Sequence, residues 1–403
     1  MNAITTLGAA CTLIVDCEHK TAPPAAPGTE YGFAVGTPHI RNGRILLDSA
    51  KPIDENTYIE WTARETPRQD DLILAREAPV GQVGRIREGE RICLGQRTVL
   101  LRPNLHVANA SYLHYLMLSP QMQETMHSRA AGSTVPHLNV KDIRSLPIPP
   151  LPDMEEQAQV GKLLGALDEK ITVNEQIAAT SLNLAELAYG ASSSAGGGWS
   201  QVSIGETARW LSGGTPKTSV QEFWGGDIPW ISAVSLKSPW VDDSERKLTD
   251  IGAQSGTRII PADTVIFIVR GSSLDTEFRI GLTQRDVAFG QDCKALIAHA
   301  GIDPAVLFVA IKSKSTEILS LVDHAGHGAG RLATELITKV EILLPDADAA
   351  AEATARIRPL VEIGASKQRE NRALANLRDV LLPKLISGEL KIRDAERRVE
   401  EAT

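Results

Sequence analysis

Few residues in this chain stand at the spacings that catalysis or metal binding needs. Gly213–Gly214–Thr215–Pro216 could present backbone N–H groups to a phosphate, but the Gly-x-x-x-x-Gly-Lys-Ser/Thr spacing of a nucleotide loop is missing. That stretch reads as a turn, and so does Gly81–Gln82–Val83–Gly84. His324 and His327 share the run "DHAGHGAG" and could hold a metal as a pair. No cysteine or third histidine lies at ligand spacing, so a glycine-rich loop is the simpler account and no metal is expected. The cysteines Cys11, Cys17, Cys93 and Cys293 form no CxxC pair, which argues against a zinc site or a disulfide framework and for reduced thiols. What remains are basic and amide side chains in expected turns, of which Arg41–Asn42–Gly43–Arg44 is the densest.

The elements that must position such residues are best read from the whole chain. Its 403 residues suffice for two or three domains, each with its own core. A composition 42% hydrophobic and 23% charged is that of globular protein, and the net charge of −8 argues against holding nucleic acid by bulk electrostatics. The opening "MNAITTLGAACTLIVDCEHK" lacks a basic start and is interrupted by Asp16, so it makes a poor signal peptide. No window reaches the ~18 apolar residues of a membrane span, and the expectation is a cytoplasmic protein with no membrane partner.

The chain repeats itself. Laying Leu138 on Leu332, an offset of 194, pairs Ile143 with Ile337 and Ile148 with Ile342. Further along, Leu167 faces Leu360, Glu169 faces Glu362 and Leu184 faces Leu377. Upstream, "LILAR" ends at Arg76 and "VIFIVR" at Arg270, while "LGQ" at Leu94–Gln96 returns as "FGQ" at Phe289–Gln291. Matches in order at a near-constant offset imply two diverged copies of one module. Each copy begins with about 150 residues of mixed character. "DLILAR", "RTVLLRP", "DTVIFIVR" and "CKALIAHA" read as strands, and Ser111–Met126 reads as a helical piece.

Each copy then ends in a long helix. The first starts after Pro152, with Asp153 as N-cap and Glu155–Glu156 in its first turn, and is expected to stop near Tyr189 before a "GASSSAGGG" linker. Val160, Leu164, Leu167 and Ile171 are spaced as a coiled-coil seam that Asn174, Ala178, Ser181, Ala185 and Ala188 continue. The second helix offers Leu360, Ile363, Lys367, Glu370, Leu374, Leu377 and Leu381 in the same rhythm, with Pro359 expected to kink it or mark its start. One apolar seam needs a partner, and a chain that runs out along one helix and back along the other makes the pair antiparallel. A helix of about 37 residues would be a spacer of roughly 55 Å. Two similar heads related by an approximate dyad suit a target with its own dyad, of which duplex DNA is the obvious example.

The predicted fold is therefore α+β: two similar mixed α/β domains, each followed by a long helix, the helices packed as an antiparallel coiled coil. The boundaries read as domain 1 over 1–152, helix 1 over 153–191, a linker over 192–199, domain 2 over 200–346, helix 2 over 347–388 and a charged tail over 389–403.

Almost the whole chain resembles the specificity subunits of type I restriction–modification systems. "GSTVPHLNVKDIRSLPIPPLPDMEEQ" followed by "LLGALDEKITVNEQI" is similar to that family's junction between a target-recognition domain and its helix. "LSGGTPKTSVQEFWGGDIPWISAVSL", Leu211–Leu236, is similar to the opening of one recognition domain. "DCEHKTAPP" with "GTPHIRNGRI" and "LAREAPVGQVG" is similar to that of a differently specific one. The resemblance implies that each domain reads one half of a bipartite, asymmetric double-stranded DNA target. It also implies that the helices set the gap and dock two modification (methyltransferase) subunits, which a restriction subunit can join.

Base reading would need donors and acceptors at base edges, with Lys and Arg on phosphates. Candidates are Lys20, Arg41, Asn42, Arg44 and Arg76 in the first domain, and Thr215, Lys217, Lys237, Arg270 and Arg279 in the second. Each alone could be an ordinary surface group, and Arg76 and Arg270, at the ends of equivalent strands, could equally be architectural. An adenine methyltransferase would carry an Asn/Asp-Pro-Pro-Tyr/Phe grip for a flipped base. The two Pro-Pro pairs here, Pro23–Pro24 and Pro149–Pro150, lack that company. No nuclease carboxylate cluster or helicase loop is legible, so the chain is expected to be non-enzymatic and to need no cofactor. The other reading is a scaffold whose heads bind protein partners.

Overall fold

The computed structural model describes residues 5–132, 135–194, 197–324 and 329–402. They divide into unit 1, residues 1–171 with 372–403, and unit 2, residues 172–371.

Unit 1 begins with α1 (Leu7–Ala10), β1 (Cys11–Asp16), β2 (Gly32–Val35), β3 (Ile40–Arg41), β4 (Arg44–Ile45), β5 (Lys51–Ile53) and α2 (Glu55–Trp61). β6 (Leu72–Arg76), β7 (Val80–Arg85), β8 (Ile92–Leu94) and β9 (Thr98–Pro103) follow, then α3 (Ala110–Leu118), α4 (Pro120–Arg129) and α5 (Val140–Arg144). Antiparallel pairing builds a sheet in the order β1-β9-β6-β7, while β2 lies antiparallel to β5 and parallel to β8 in a second sheet. The runs "LILA" and "TVLL" are buried throughout because both faces of these central strands are covered, and Arg102 beyond them is buried in ion pairs with Asp71 and Glu65. The helical piece expected over Ser111–Met126 is two helices. Ser119 ends α3 and caps α4 through its hydroxyl, and Pro120 opens α4, where its missing N–H costs nothing.

Unit 2 repeats the plan. After α6 (Met154–Ser194), which spans both units, come β10 (Trp199–Ser203), β11 (Ala208–Ser212), β12 (Trp224–Ile231), β13 (Trp240–Val241), β14 (Lys247–Leu248), α7 (Asp250–Gln254) and β15 (Ile259–Ile260). β16 (Val265–Ile268), β17 (Ile280–Thr283), β18 (Val287–Phe289) and β19 (Cys293–Ala298) follow, then α8 (Pro304–Ser313), α9 (Ser315–Leu319), α10 (Thr334–Ile337) and β20 (Glu341–Pro345). The order β11-β19-β16-β17 reproduces β1-β9-β6-β7, extended by β13. β12 lies antiparallel to β14 and parallel to β18, as β2 does to β5 and β8. Topology this specific is strong evidence that the two halves are copies of one module.

The second long helix, α11 (Ala347–Ile386), and the terminal α12 (Ile392–Ala402) complete the chain. In unit 1, Val160, Leu164, Leu167 and Ile171 of α6 are buried in one core with Leu374 and Leu381 of α11, against which Leu377 packs. Asp168 accepts from both Arg378 and the Tyr115 hydroxyl at 2.6 Å. In unit 2, Ala178, Leu182, Ala185 and Tyr189 share a core with Ile357, Val361 and Ala365, and Leu360 packs against it. The early part of each long helix thus shares a unit with the late part of the other, an antiparallel pairing. 

Three details of the helices differ from the expectation. Ile363 is 43% exposed, because the buried face of α11 there is Ile357–Val361–Ala365, turned toward the globular part of unit 2. Pro359 does not mark the start of the second helix, which begins at Ala347 and runs on through it. The buried residues on either side, Ile357 and Val361, offset the ~3 kcal/mol cost of a missing hydrogen bond. α6 continues through Ser192–Ser194, beyond Tyr189. Of the expected linker, Ala195 and Gly196 lie outside the described residues, and Gly197 and Gly198 adopt left-handed backbone just before β10.

Each globular part is tied to its long helix through the N-cap of a corresponding helix. Asn109 caps α3, and its backbone N–H donates to Gln157 of α6 at 2.8 Å. Asp303 caps α8 and accepts from Arg358 of α11, also at 2.8 Å. Two glycines allow the closest approach. Ser111 donates to the Gly161 carbonyl at 3.0 Å, and the Trp240 indole lies on Gly364, donating to the Val361 carbonyl at 2.9 Å. A Cβ on Gly364 would stand 1.9 Å from that ring, whereas one on Gly165 would meet only the Ser111 hydroxyl at 3.9 Å. Gly364→Ala should therefore destabilise by about 1–3 kcal/mol through overpacking, and Gly165→Ala should be neutral or stabilising by up to ~1 kcal/mol. Urea or thermal unfolding of the two variants checks this, and equal midpoints would contradict the packing described.

Candidate nucleic-acid interface

In unit 1 the run Arg41–Asn42–Gly43–Arg44 forms the tip of the hairpin joining β3 and β4. Asn42 (φ 51°) and Gly43 (φ 79°) both take left-handed backbone, as the two-residue turn that matches strand twist requires, and Asn-Gly is its favoured sequence. The tip is held from below. The buried His114 ring bonds the Gly43 carbonyl at 2.9 Å, and the Asn42 N–H donates to Gln82 of β7 at 3.3 Å. Burial lowers the His114 pKa to about 4, so this support stays neutral near pH 7. Arg41 and Asn42 are exposed, Arg41 bonding back to the Pro38 carbonyl, and Arg44 is half-buried with a partner of its own.

Lys20 is exposed in the loop after β1, next to His19, whose carbonyl accepts from Gln96. Arg76 is different. Its side chain is 14% exposed and faces inward, 3.4 Å from Asp16 and donating to the Leu138 carbonyl, so it braces the end of β6. Asp16 also meets His19 at 3.1 Å, and Cys17 sulfur lies 3.9 Å from the same ring. These three residues could converge on a metal. The Asp16 carboxylate already pairs with the Arg76 guanidinium, so it has a structural partner. Burial raises the thiols of Cys11, Cys93 and Cys293 to about 12, which keeps them protonated and poorly nucleophilic.

In unit 2 the loop carrying Thr215 and Lys217 is pinned by two indoles. Trp230 donates to the Gly214 carbonyl at 3.1 Å and Trp224 to the Lys217 carbonyl at 3.3 Å. Gly214 is needed there because a Cβ would stand 1.9 Å from the Gly256 carbonyl oxygen. Thr215 and Lys217 are both exposed. Beside them opens a cleft of about 590 Å³ whose lining includes Thr218, Trp224, Gly225, Glu245, Arg246 and Lys247. A second cleft of about 450 Å³ lies across the 243–247 segment and is bordered by Lys237, Asp243 and Glu245. Lys237 thus borders the second cleft, while Thr215 and Lys217 lie in the loop that leads to Thr218 on the wall of the first. Arg270 is exposed elsewhere, its backbone bridging to Arg331, and Arg279 is engaged by Glu277 at 2.8 Å.

The sequence reading missed Trp224, Arg246 and Lys247. The signal was present in the aromatic residues interleaved with glycine in "EFWGGDIPW" and in the charged run "DDSERK", but the fold alone brings the two runs together. Of the histidine pair considered as a metal site, His324 lies 3.4 Å from Asp275, and His327 is outside the described residues. No helix among the described residues is long and apolar enough to cross a membrane.

Comparison with known proteins matches residues 18–180 and 196–373 to the "Type I restriction modification DNA specificity domain". The chain is 32% identical over 145 residues to the EcoR124I/EcoR124II specificity subunit of Escherichia coli, a match covering 36% of each protein. It is 24% identical over 196 residues to the HindI specificity subunit of Haemophilus influenzae, covering 48% of this chain and 42% of that one. The matched segments thus span about two fifths of those relatives' length. Among solved structures, the S subunit of a type I restriction–modification system from M. genitalium superposes with a TM-score of 0.56. At 16% identity over 95% of this chain and 96% of that one, it shares the fold. With two matches that together span most of its length, the chain belongs to the type I restriction–modification DNA specificity family and carries that domain twice.

Proposed function

We propose that the chain is the DNA sequence-specificity subunit of a type I restriction–modification complex. Each globular domain, over 1–152 and 200–346, reads one half of a bipartite, asymmetric duplex target, and the chain has no catalytic residue of its own. The observation that carries this reading is one strand topology used twice with different projecting chemistry: an Arg-Asn-Gly-Arg hairpin in one copy and a Trp- and Arg-lined furrow in the other. A scaffold repeated with unlike side chains reads two unlike half-sites. The net charge of −8 fits a subunit that borrows many phosphate contacts from its partners.

The long helices dock two modification (methyltransferase) subunits, to which a restriction subunit can be added. Supporting this, α6 leaves Val173, Ile177, Leu184 and Leu187 from 37% to 68% exposed, an apolar load unusual on a solvated helix. Replacing Leu184 and Leu187 together by Glu should abolish co-purification with modification subunits while leaving the melting temperature within about 2 °C. Intact assembly of that variant would remove the docking role from this face.

Exchange of Ser200–Pro345 for the matching segment of a relative tests the DNA reading. Methylation mapping in cells should then show half of the modified motif changed and the other half kept. A change in partner choice with an unaltered motif would instead favour a protein-binding scaffold.

A further inference from the structure

Arg246 stands out among the cations of unit 2 because it is held in place without a counter-charge. Its guanidinium carbon lies 3.7 Å from the centroid of the Trp224 ring and 5.1 Å from that of Trp230. The two rings meet edge to face, with centroids 5.4 Å apart. Both indoles are fixed by their N–H groups on the 214–217 loop, and the Arg246 carbonyl accepts from the Trp230 N–H at 3.0 Å and the Ser244 hydroxyl at 2.6 Å. Arg279 is committed to Glu277, and Arg358 to Asp303 and Asp263, whereas Arg246 makes no ion pair among the described residues. It is exposed, on the wall of the 590 Å³ cleft, where Gly225 presents no side chain to an incoming group.

A stacked guanidinium is a planar fork whose orientation is already set, so little rotamer freedom is lost when it binds. Phosphate would not require that preparation, since a flexible lysine serves as well. The edge of guanine would, because its O6 and N7 acceptors match the fork in a bidentate contact. We propose that Arg246, laid on Trp224, is a specificity-determining residue that reads a guanine in the half-site of unit 2, with Lys217 placed for an adjacent phosphate. This rests on the DNA reading above.

The test uses the chain assembled with its modification subunits, and compares Arg246→Ala, Arg246→Gln and Arg246→Lys by genome-wide methylation mapping and by methylation of duplexes varied one base pair at a time. Arg246→Ala should relax one G·C position of one half-site, lowering discrimination there about tenfold or more, with the other half-site unchanged. Arg246→Lys should restore discrimination only in part. Arg246→Gln, which puts a carboxamide in place of the guanidinium, should weaken guanine preference and favour adenine. An unchanged motif, relaxation at an A·T position, or an equal loss across all sequences would overturn the assignment, the last by making Arg246 a phosphate contact. Melting curves of the three variants exclude unfolding as the cause. If the segment exchange alters half of the motif while Arg246→Ala does not, only the role of Arg246 falls; if the exchange itself changes nothing, the DNA reading falls with it.

Discussion

Burial of the apolar faces of α6 and α11 is the constraint on which the rest depends. Helices of 41 and 40 residues cannot leave continuous apolar seams in water, and each finds cover twice. In unit 1 Leu164 and Leu167 share one core with Leu374 and Leu381, and in unit 2 Ala185 and Tyr189 share one with Ile357 and Val361, whose face is turned toward the globular part. The globular parts join the same cores, so each is packed on a helix pair rather than tethered by a loop. On the proposed DNA reading that packing matters, because base edges would be read at hydrogen-bond distances and a group that drifts by an ångström would lose its contact.

The attachment is polar as well as apolar. Asn109 with Gln157, and Asp303 with Arg358, join a capping residue to the long helix at equivalent points of the two copies, by different chemistry. An amide pair does the work in one copy and an ion pair in the other. The position was retained while the side chains diverged, as expected when geometry, not a particular contact, is what must persist. Where the helix and globule approach most closely, Gly161 and Gly364 remove the side chain that would hold them apart.

The two proposed reading surfaces are built in different ways. In unit 1 a left-handed Asn-Gly turn leaves Arg41 and Asn42 exposed, and its base is fixed by a neutral, buried His114. In unit 2 the arginine is oriented by aromatic faces that are themselves tied to a glycine-rich loop. Neither device needs a strongly basic surface, so the proposed recognition is compatible with an acidic chain.

Much of the architecture was legible in the residues. The constant offset of about 194 revealed the duplication, the β-branched runs located the central strands, and the 4-3-4 spacing from Val160 to Ile171 located the first helix seam. These are local or periodic signals that a linear reading can hold. The misplaced Ile363, the uninterrupted Pro359 and the inward turn of Arg76 were decided by tertiary packing, because a buried neighbour or a nearby carboxylate outweighs local preference by a few kcal/mol. The stacking of Arg246 on Trp224 was likewise settled in three dimensions: the residues are 22 positions apart, and only the pairing of β12 with β14 brings them face to face.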